Sequence, residues 1–278
     1  MERMETNWVQ KIERLKQLQQ ANIKESQMQE KLQNLQMMSG KNTEEYEKNL
    51  DNNNTNTVLC TKCNDKYWIM TEKGAIECEC LKKRNFEKRL QESNIGEEFK
   101  NKKINNYDAE ITSETAKALM TVYKYTNNFK EVKKQRNNGL LLCGDVGTGK
   151  THLAVATANK LIELGHEAIY MLYRDEVTSL KQLTMEQEEY TVKLRAYQNT
   201  EILIIDDLFK GKITEADINI IYSIIDKRYF KGLPTVITTE KNIEELIGID
   251  EAIGSRIYEM SKGNLITFKN TPNYRLRN

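Results

Sequence analysis

The segment Gly144-Asp145-Val146-Gly147-Thr148-Gly149-Lys150-Thr151 constrains this chain more than any other stretch. Its spacing, G-x-x-x-x-G-K-T, works as a loop that joins a buried strand to the first turn of a helix. The flanks fit that context. Gly139–Cys143 is a short apolar run that reads as a strand, and Thr151–Leu164 has helical spacing with Gly165 placed to stop it. Glycines let successive backbone N–H groups turn inward toward phosphate oxygens, and the helix N-terminus adds partial positive charge. All eight residues are therefore candidate nucleoside-triphosphate contacts. Lys150 is placed for the β- and γ-phosphates and the Thr151 hydroxyl for Mg²⁺.

Downstream of this loop, apolar runs alternate with helical spacing. Ala168–Tyr173, Ile202–Asp206, Thr235–Thr239 and Leu265–Lys269 read as further strands. Asp175–Gln198 and Thr214–Tyr229 read as helical material between them. Strands that are apolar on every residue and alternate with helices form a parallel sheet covered on both faces. The expectation is an α/β core with a five-stranded parallel sheet between helices, over residues 137–278.

Two carboxylates end the third of these strands, Ile202-Leu203-Ile204-Ile205-Asp206-Asp207. In phosphoryl-transfer sites the first such Asp holds Mg²⁺, and a neighbouring carboxylate orients or deprotonates the attacking water. That assigns Asp206 to the metal and Asp207 to the water. The next strand ends Thr238-Thr239-Glu240, which puts a polar side chain between the two motifs and within reach of the γ-phosphate. Arg256, in Gly254-Ser255-Arg256-Ile257, is a candidate for the arginine that a neighbouring subunit inserts at the transferring phosphate. Arg275, in Asn273-Tyr274-Arg275, is a candidate for phosphate contact within the same chain.

The remaining 136 residues are organised differently. Residues 1–50 are rich in Gln, Lys, Glu, Leu and Met. Ala21, Met28, Leu32 and Leu35 form one heptad-like stripe, while Trp8, Ile12 and Leu15 fall on another phase. This reads as a helical arm with an apolar face for a partner, or as a solvated helix. Asp51–Thr57 is a polar linker. Cys60-x2-Cys63 and Cys78-x-Cys80 follow, separated by fourteen residues. Two close pairs across a hairpin-sized insert place four thiolates around Zn²⁺ in a module over 58–82, which the metal would hold together. Reduced, unliganded thiols and a redox pair are the competing readings. Residues 83–136 are basic and read as a connector.

Composition narrows the setting. Charged residues make up 30% of the 278 and the net charge is +1, so attraction to nucleic acid has to come from local patches such as Lys210, Lys212, Lys227, Arg228 and Lys231. Nothing in the sequence is long and apolar enough to span a bilayer, and the N-terminus is not signal-like, which points to a cytoplasmic protein.

Together these segments resemble the replicative helicase loaders of the DnaC/DnaI type, above all the DnaC-like proteins of phages and prophages of Gram-positive hosts. The resemblance runs from about residue 60 to the end. It rests on the four cysteines, Gly144–Thr151, Ile204-Ile205-Asp206-Asp207-Leu208-Phe209-Lys210, Thr214–Asn219, Arg228-Tyr229 with Leu233-Pro234-Thr235, Ile253–Arg256 and Asn273-Tyr274-Arg275. It implies an AAA+ core that uses ATP and Mg²⁺, an N-terminal region that grips a hexameric replicative helicase, contact with single-stranded DNA, and self-association through the core. Lys150 and Thr151 then correspond to Walker A, Asp206 and Asp207 to Walker B, Thr239 or Glu240 to sensor one, Arg256 to the arginine finger and Arg275 to the second-sensor arginine. Glu240 departs from the Asn common at sensor one. The nine residues after Lys269 leave no room for a full helical lid or an appended DNA-reading domain, unlike an initiator of the DnaA type. An IstB-type transposition helper shares the same core and is the alternative. A small-molecule P-loop kinase is a remote one, because no arginine-rich closing lid is present.

Overall fold

The computed structural model describes residues 60–72, 74–92 and 101–276. The arm expected at 1–50, with its two apolar stripes, and the linker at Asp51–Thr57 lie outside the described residues.

The described chain begins with a small antiparallel hairpin, β1 (Trp68–Thr71) and β2 (Gly74–Glu77), followed by helix α1 (Cys80–Glu92). Next come α2 (Ser113–Asn127) and the single turn α3 (Phe129–Val132). The alternating half then runs β3 (Leu140–Gly144), α4 (Lys150–Glu163), β4 (Ala168–Leu172), α5 (Tyr173–Gln182), α6 (Gln187–Asn199), β5 (Ile202–Leu208), α7 (Glu215–Lys231), β6 (Thr235–Thr239), α8 (Ile243–Ile249), α9 (Glu251–Ser261) and β7 (Leu265–Phe268). All strand pairs of this half are parallel, in the order β4-β5-β6-β3-β7. The first strand of the core thus lies between the last two, and the carboxyl ends of β3 and β5 flank β6.

Alternation along the strands explains why both sheet faces are covered. Leu140, Leu142, Tyr170, Ile202, Ile204, Val236 and Ile266 pack on one side against α4 and α2. Leu141, Cys143, Ile169, Met171, Leu203, Ile205 and Ile237 pack on the other side against α5 to α9. Side chains that alternate in direction but are apolar in every position require two buried faces. Phe86, Ala118, Val122, Tyr125 and Phe129 belong to the first of these cores. The segment expected as a connector therefore contributes core residues, and a boundary at 136/137 runs through continuous packing.

Local signals set most of the ends. In α7, Thr214 and Asp217 form a reciprocal capping box, and Asn242 with Glu245 does the same for α8. Gly165 sits at φ +91°, its N–H bonded to Ile162 O at 2.9 Å, while His166 N–H reaches Leu161 O at 3.0 Å. These are the paired bonds of a Schellman stop, and the left-handed residue they need is the expected glycine. β4 ends one residue before the sequence reading, because Tyr173 opens α5 with Asp175 and Glu176 in its first turn. The expected helical stretch 175–198 is two helices, interrupted by a 3₁₀ turn at Leu183–Met185.

Arg228 corrects an expectation. A basic residue near other lysines reads as a candidate for DNA contact, yet this side chain is completely buried. Its guanidinium donates to Thr235 Oγ1 at 2.9 Å, to the carbonyls of Tyr197 and Thr200 at 2.9 Å each, and to Pro234 O at 2.6 Å. It thereby ties α7 to the entrances of β5 and β6. Burial lowers its pKa to about 9, so it remains a cation at neutral pH. Arg228→Met is expected to leave these carbonyls without donors and to destabilise the core by about 3–5 kcal/mol, measured by urea unfolding. Parent-like stability would mean that water replaces the guanidinium.

Candidate nucleotide site

The P-loop is shaped by what surrounds it. Gly149 starts α4 with φ +86°, and a Cβ there would lie 2.6 Å from the Tyr107 ring. Only glycine satisfies both the left-handed backbone and that contact. Tyr107 also donates its hydroxyl to Thr148 O at 3.0 Å, and Tyr274 N–H donates to Gly147 O at 2.8 Å. Segments before and after the core therefore clamp the loop from both sides. A cavity of about 500 Å³ opens over it, lined by residues 146–152 and by Asn106, Tyr107, Asp207, Lys210, Glu240 and Arg275, among others.

Lys150 is buried and folded onto the loop, its Nζ 2.8 Å from Gly144 O and 2.6 Å from Asp145 O. Burial lowers its pKa, against the pull of Asp207, Glu240 and Asp206. A cation held only by carbonyls is well placed for phosphate oxygens, which offer it stronger partners.

Asp206 is the best-partnered carboxylate of the site. The Thr151 hydroxyl donates to Oδ1 at 3.1 Å, Thr238 Oγ1 also donates to Oδ1, and the Tyr170 hydroxyl donates to Oδ2 at 2.6 Å. Burial raises its pKa, and these hydrogen bonds oppose the shift. The two predicted Mg²⁺ ligands, Thr151 and Asp206, are thus in direct contact, and a hydroxyl beside a buried carboxylate is a donor set that suits Mg²⁺.

A raised carboxyl pKa means that the folded state disfavours the ionised form. The resulting stability is present below the ordinary carboxylate range and is lost as pH rises from there through the raised pKa of the folded state. Asp206→Asn is therefore expected to raise the melting temperature at neutral pH in Mg²⁺-free buffer, with the gain fading toward about pH 4. A lower melting temperature would show that the hydrogen bonds to Asp206 outweigh its burial.

Past Asp206, strand β5 leaves the regular ladder. Its register with β6 shifts between Ile205 and Leu208, and Asp207 and Phe209 take φ +56° and +57°. This turns Asp207 toward the cavity, with its N–H on Thr238 Oγ1 at 2.8 Å. Lys210 Nζ lies 2.8 Å from Asp207 Oδ2 and 3.1 Å from Glu240 Oε1. Burial works against its charge, but the bonds to these two carboxylates outweigh it and raise its pKa. Lys210, a second candidate for DNA contact in the sequence, faces the nucleotide cavity instead.

The two threonines that end β6 divide differently from the sequence reading. Thr239 is fully buried and donates to Leu208 O at 2.8 Å, which fastens the irregular end of β5. Thr238, one position earlier, reaches Asp206 and Asp207, and sequence reasoning does not select it. It also misses Tyr170, although a tyrosine in an otherwise apolar buried strand signals a partner for its hydroxyl.

Arg275 lines the cavity. Arg256 does not line it. On α9 its Nη2 pairs with Asp226 Oδ1 at 2.9 Å, and its guanidinium carbon lies 5.4 to 5.9 Å from the ring centroids of Tyr222, Tyr229 and Phe230.

The four cysteine sulfurs lie within 4.8 Å of one another, with Cys60–Cys78 at 3.7 Å and Cys63–Cys80 at 3.5 Å. The edge of a tetrahedron with Zn–S bonds of about 2.3 Å is about 3.8 Å, so the spacing fits a zinc centre made of four thiolates. Among themselves the thiols of the cluster are pushed apart in pKa: backbone N–H groups, that of Cys63 first, lower Cys60 to about 7, while burial pushes Cys80 up to about 12.

Comparison with known proteins agrees with this architecture. A family model described as IstB-like ATP binding protein matches residues 74–256. The phage-like element PBSX protein XkdC of Bacillus subtilis (strain 168) is 31% identical over 221 residues, covering 76% of this chain and 82% of that protein. The replicative helicase loader DnaC of Escherichia coli (strain K12) is 27% identical over 220 residues, covering 74% of this chain and 84% of the loader. The crystal structure of the DnaC helicase loader superposes with a TM-score of 0.54 at 28% identity, covering 63% of this chain and 100% of that one. With a P-loop touching Asp206 at the carboxyl edge of a five-stranded parallel sheet and these matches, the chain belongs to the IstB/DnaC-like family of AAA+ ATPases.

Proposed function

We propose that this protein is an ATP-dependent loader that delivers a hexameric replicative DNA helicase onto single-stranded DNA. The reading is carried by the likeness to the Escherichia coli loader, which spans the sequence on both sides of the P-loop and most of the loader's own length. In this reading Gly144–Thr151 cradle ATP and Thr151 and Asp206 hold Mg²⁺, which supplies charge neutralisation at the phosphates. Asp207 orients the attacking water, Glu240 adjoins it, and Arg275 contacts phosphate within the chain. Thr239 acts only indirectly, through the end of β5.

Arg256 pairs with Asp226 and does not line its own cavity, which is compatible with service at the site of a neighbouring copy. Hydrolysis is then slow in the monomer and stimulated by self-association through the core. Exposed Lys212 and Lys227 remain candidates for DNA contact. The four-cysteine module and the N-terminal arm are the side that grips the helicase.

The test is a pull-down with hexameric replicative helicases, with and without ATP and single-stranded DNA. An ATP-dependent complex that transfers the helicase to DNA is the expected result. Capture of a transposase with no helicase binding would replace this reading by an IstB-like transposition helper.

A further inference from the structure

Lys210 has no role in the reading above, yet the chain is bent to present it. Asp207 and Phe209 both adopt the left-handed backbone that side chains with a Cβ resist, and a phenylalanine there is a marked outlier. Tertiary contacts hold this shape. Phe209 is fully buried with its ring 5.6 Å from that of Tyr173, Thr239 fastens Leu208 O, and Lys210 N–H closes a turn onto Asp207 O at 3.1 Å. Such over-determined strain concentrates where function needs a side chain aimed against local preference. The aim here is into the same cavity that Lys150 lines.

The partners of Lys210 are ones it can give up. Its side chain is 41% exposed and those of Asp207 and Glu240 are 25% and 31% exposed, so both ion pairs are partly solvated and weak. An ammonium has three donors, and a phosphate oxygen carrying charge competes well for them. We propose that Lys210 reads the terminal phosphate: it exchanges Asp207 and Glu240 for the γ-phosphate and makes the site favour a nucleoside triphosphate over the diphosphate. The exchange also frees Asp207 to take the water, so triphosphate binding and release of the candidate base are one event. This rests on the nucleotide reading of the cavity and adds to it the residue that distinguishes the two nucleotides.

The experiment is calorimetric titration of the full chain with Mg-ADP and with a non-hydrolysable β,γ-imido ATP analogue. Lys210→Met is expected to weaken the triphosphate analogue by on the order of ten-fold or more, the worth of one charge-assisted hydrogen bond, while ADP affinity stays at the parent value. Lys210→Arg should keep most of the preference. The double variant Lys210→Met with Glu240→Gln separates direct contact from simple neutralisation of the carboxylates: a direct contact stays lost, whereas recovery of triphosphate affinity would overturn the proposal. Equal weakening of both nucleotides, or none, would also overturn it. Failure of the parent protein to bind either nucleotide would remove the nucleotide reading itself.

Discussion

Lys150→Ala is expected to abolish ATP-dependent activity while leaving the fold intact. The side chain is buried and its ammonium touches only the Gly144 and Asp145 carbonyls, at 2.8 and 2.6 Å. It contributes little to stability there, because burial already disfavours its charge. Its expected value lies in phosphate binding, where a preorganised cation in a partly dehydrated loop would replace water at the oxygens that gain charge during transfer. Losing one such group costs turnover about 10²–10³-fold, and here the loss falls on binding as well. The expected result is a melting temperature close to the parent's, with fluorescent-nucleotide affinity and ATP turnover both lost. Parent-like affinity would mean that the P-loop backbone suffices and that Lys150 is not the phosphate anchor.

Metal removal is the other large effect. Strands β1 and β2 have four residues each, and Trp68, Met70 and Ile76 on them are exposed at 48, 79 and 52%. A two-stranded hairpin with so little burial does not stand in water unaided. A structural zinc site contributes about 10–16 kcal/mol, ample to hold such a module. Chelation, or Cys63→Ser, is therefore expected to unfold residues 60–79 and to release one zinc per chain, read by metal analysis and circular dichroism.

The effect should reach the core. Helix α1 begins at Cys80 and carries Phe86, fully buried, with its ring edge-on to Tyr170 at 6.4 Å. Tyr170 donates to Asp206, so the metal module and the predicted Mg²⁺ carboxylate are two side chains apart. Metal-free protein should bind Mg-nucleotide more weakly and recover on adding zinc. Stoichiometric absence of zinc from the purified protein would end this account. Unchanged nucleotide affinity after chelation would confine the metal's role to the hairpin.

How much of this is legible in advance differs by residue. The P-loop, the Asp206 strand and the five strands of the core are readable because their signals are local: glycines at fixed offsets, and apolar runs ended by carboxylates or caps. The four cysteines are readable for the same reason. Arg228 leaves a weaker trace. It continues the spacing Ile221, Ile224, Ile225 on the buried side of α7, yet its charge argues for the surface, and only the carbonyls of the β5 and β6 entrances justify burying it. Between Thr238 and Thr239 the sequence offers no basis for choice. Adjacent strand residues point to opposite faces, and the register of β6 against the irregular end of β5 decides which hydroxyl meets Asp206.

The sequence by itself determined the P-loop spacing, the apolar strand that ends in Asp206, the two cysteine pairs and the α/β character of the core. Each of these depends on chemistry within a few residues along the chain. Only the tertiary structure decided that Tyr170 and Thr238 hold Asp206, that Arg256 pairs with Asp226, and that Lys210 bridges Asp207 and Glu240. The physical reason is that a charge or hydroxyl takes its role from its partners. For Asp206 those partners come from neighbouring strands, set by sheet order, and for Lys210 they are brought within reach by a left-handed turn that no local preference favours.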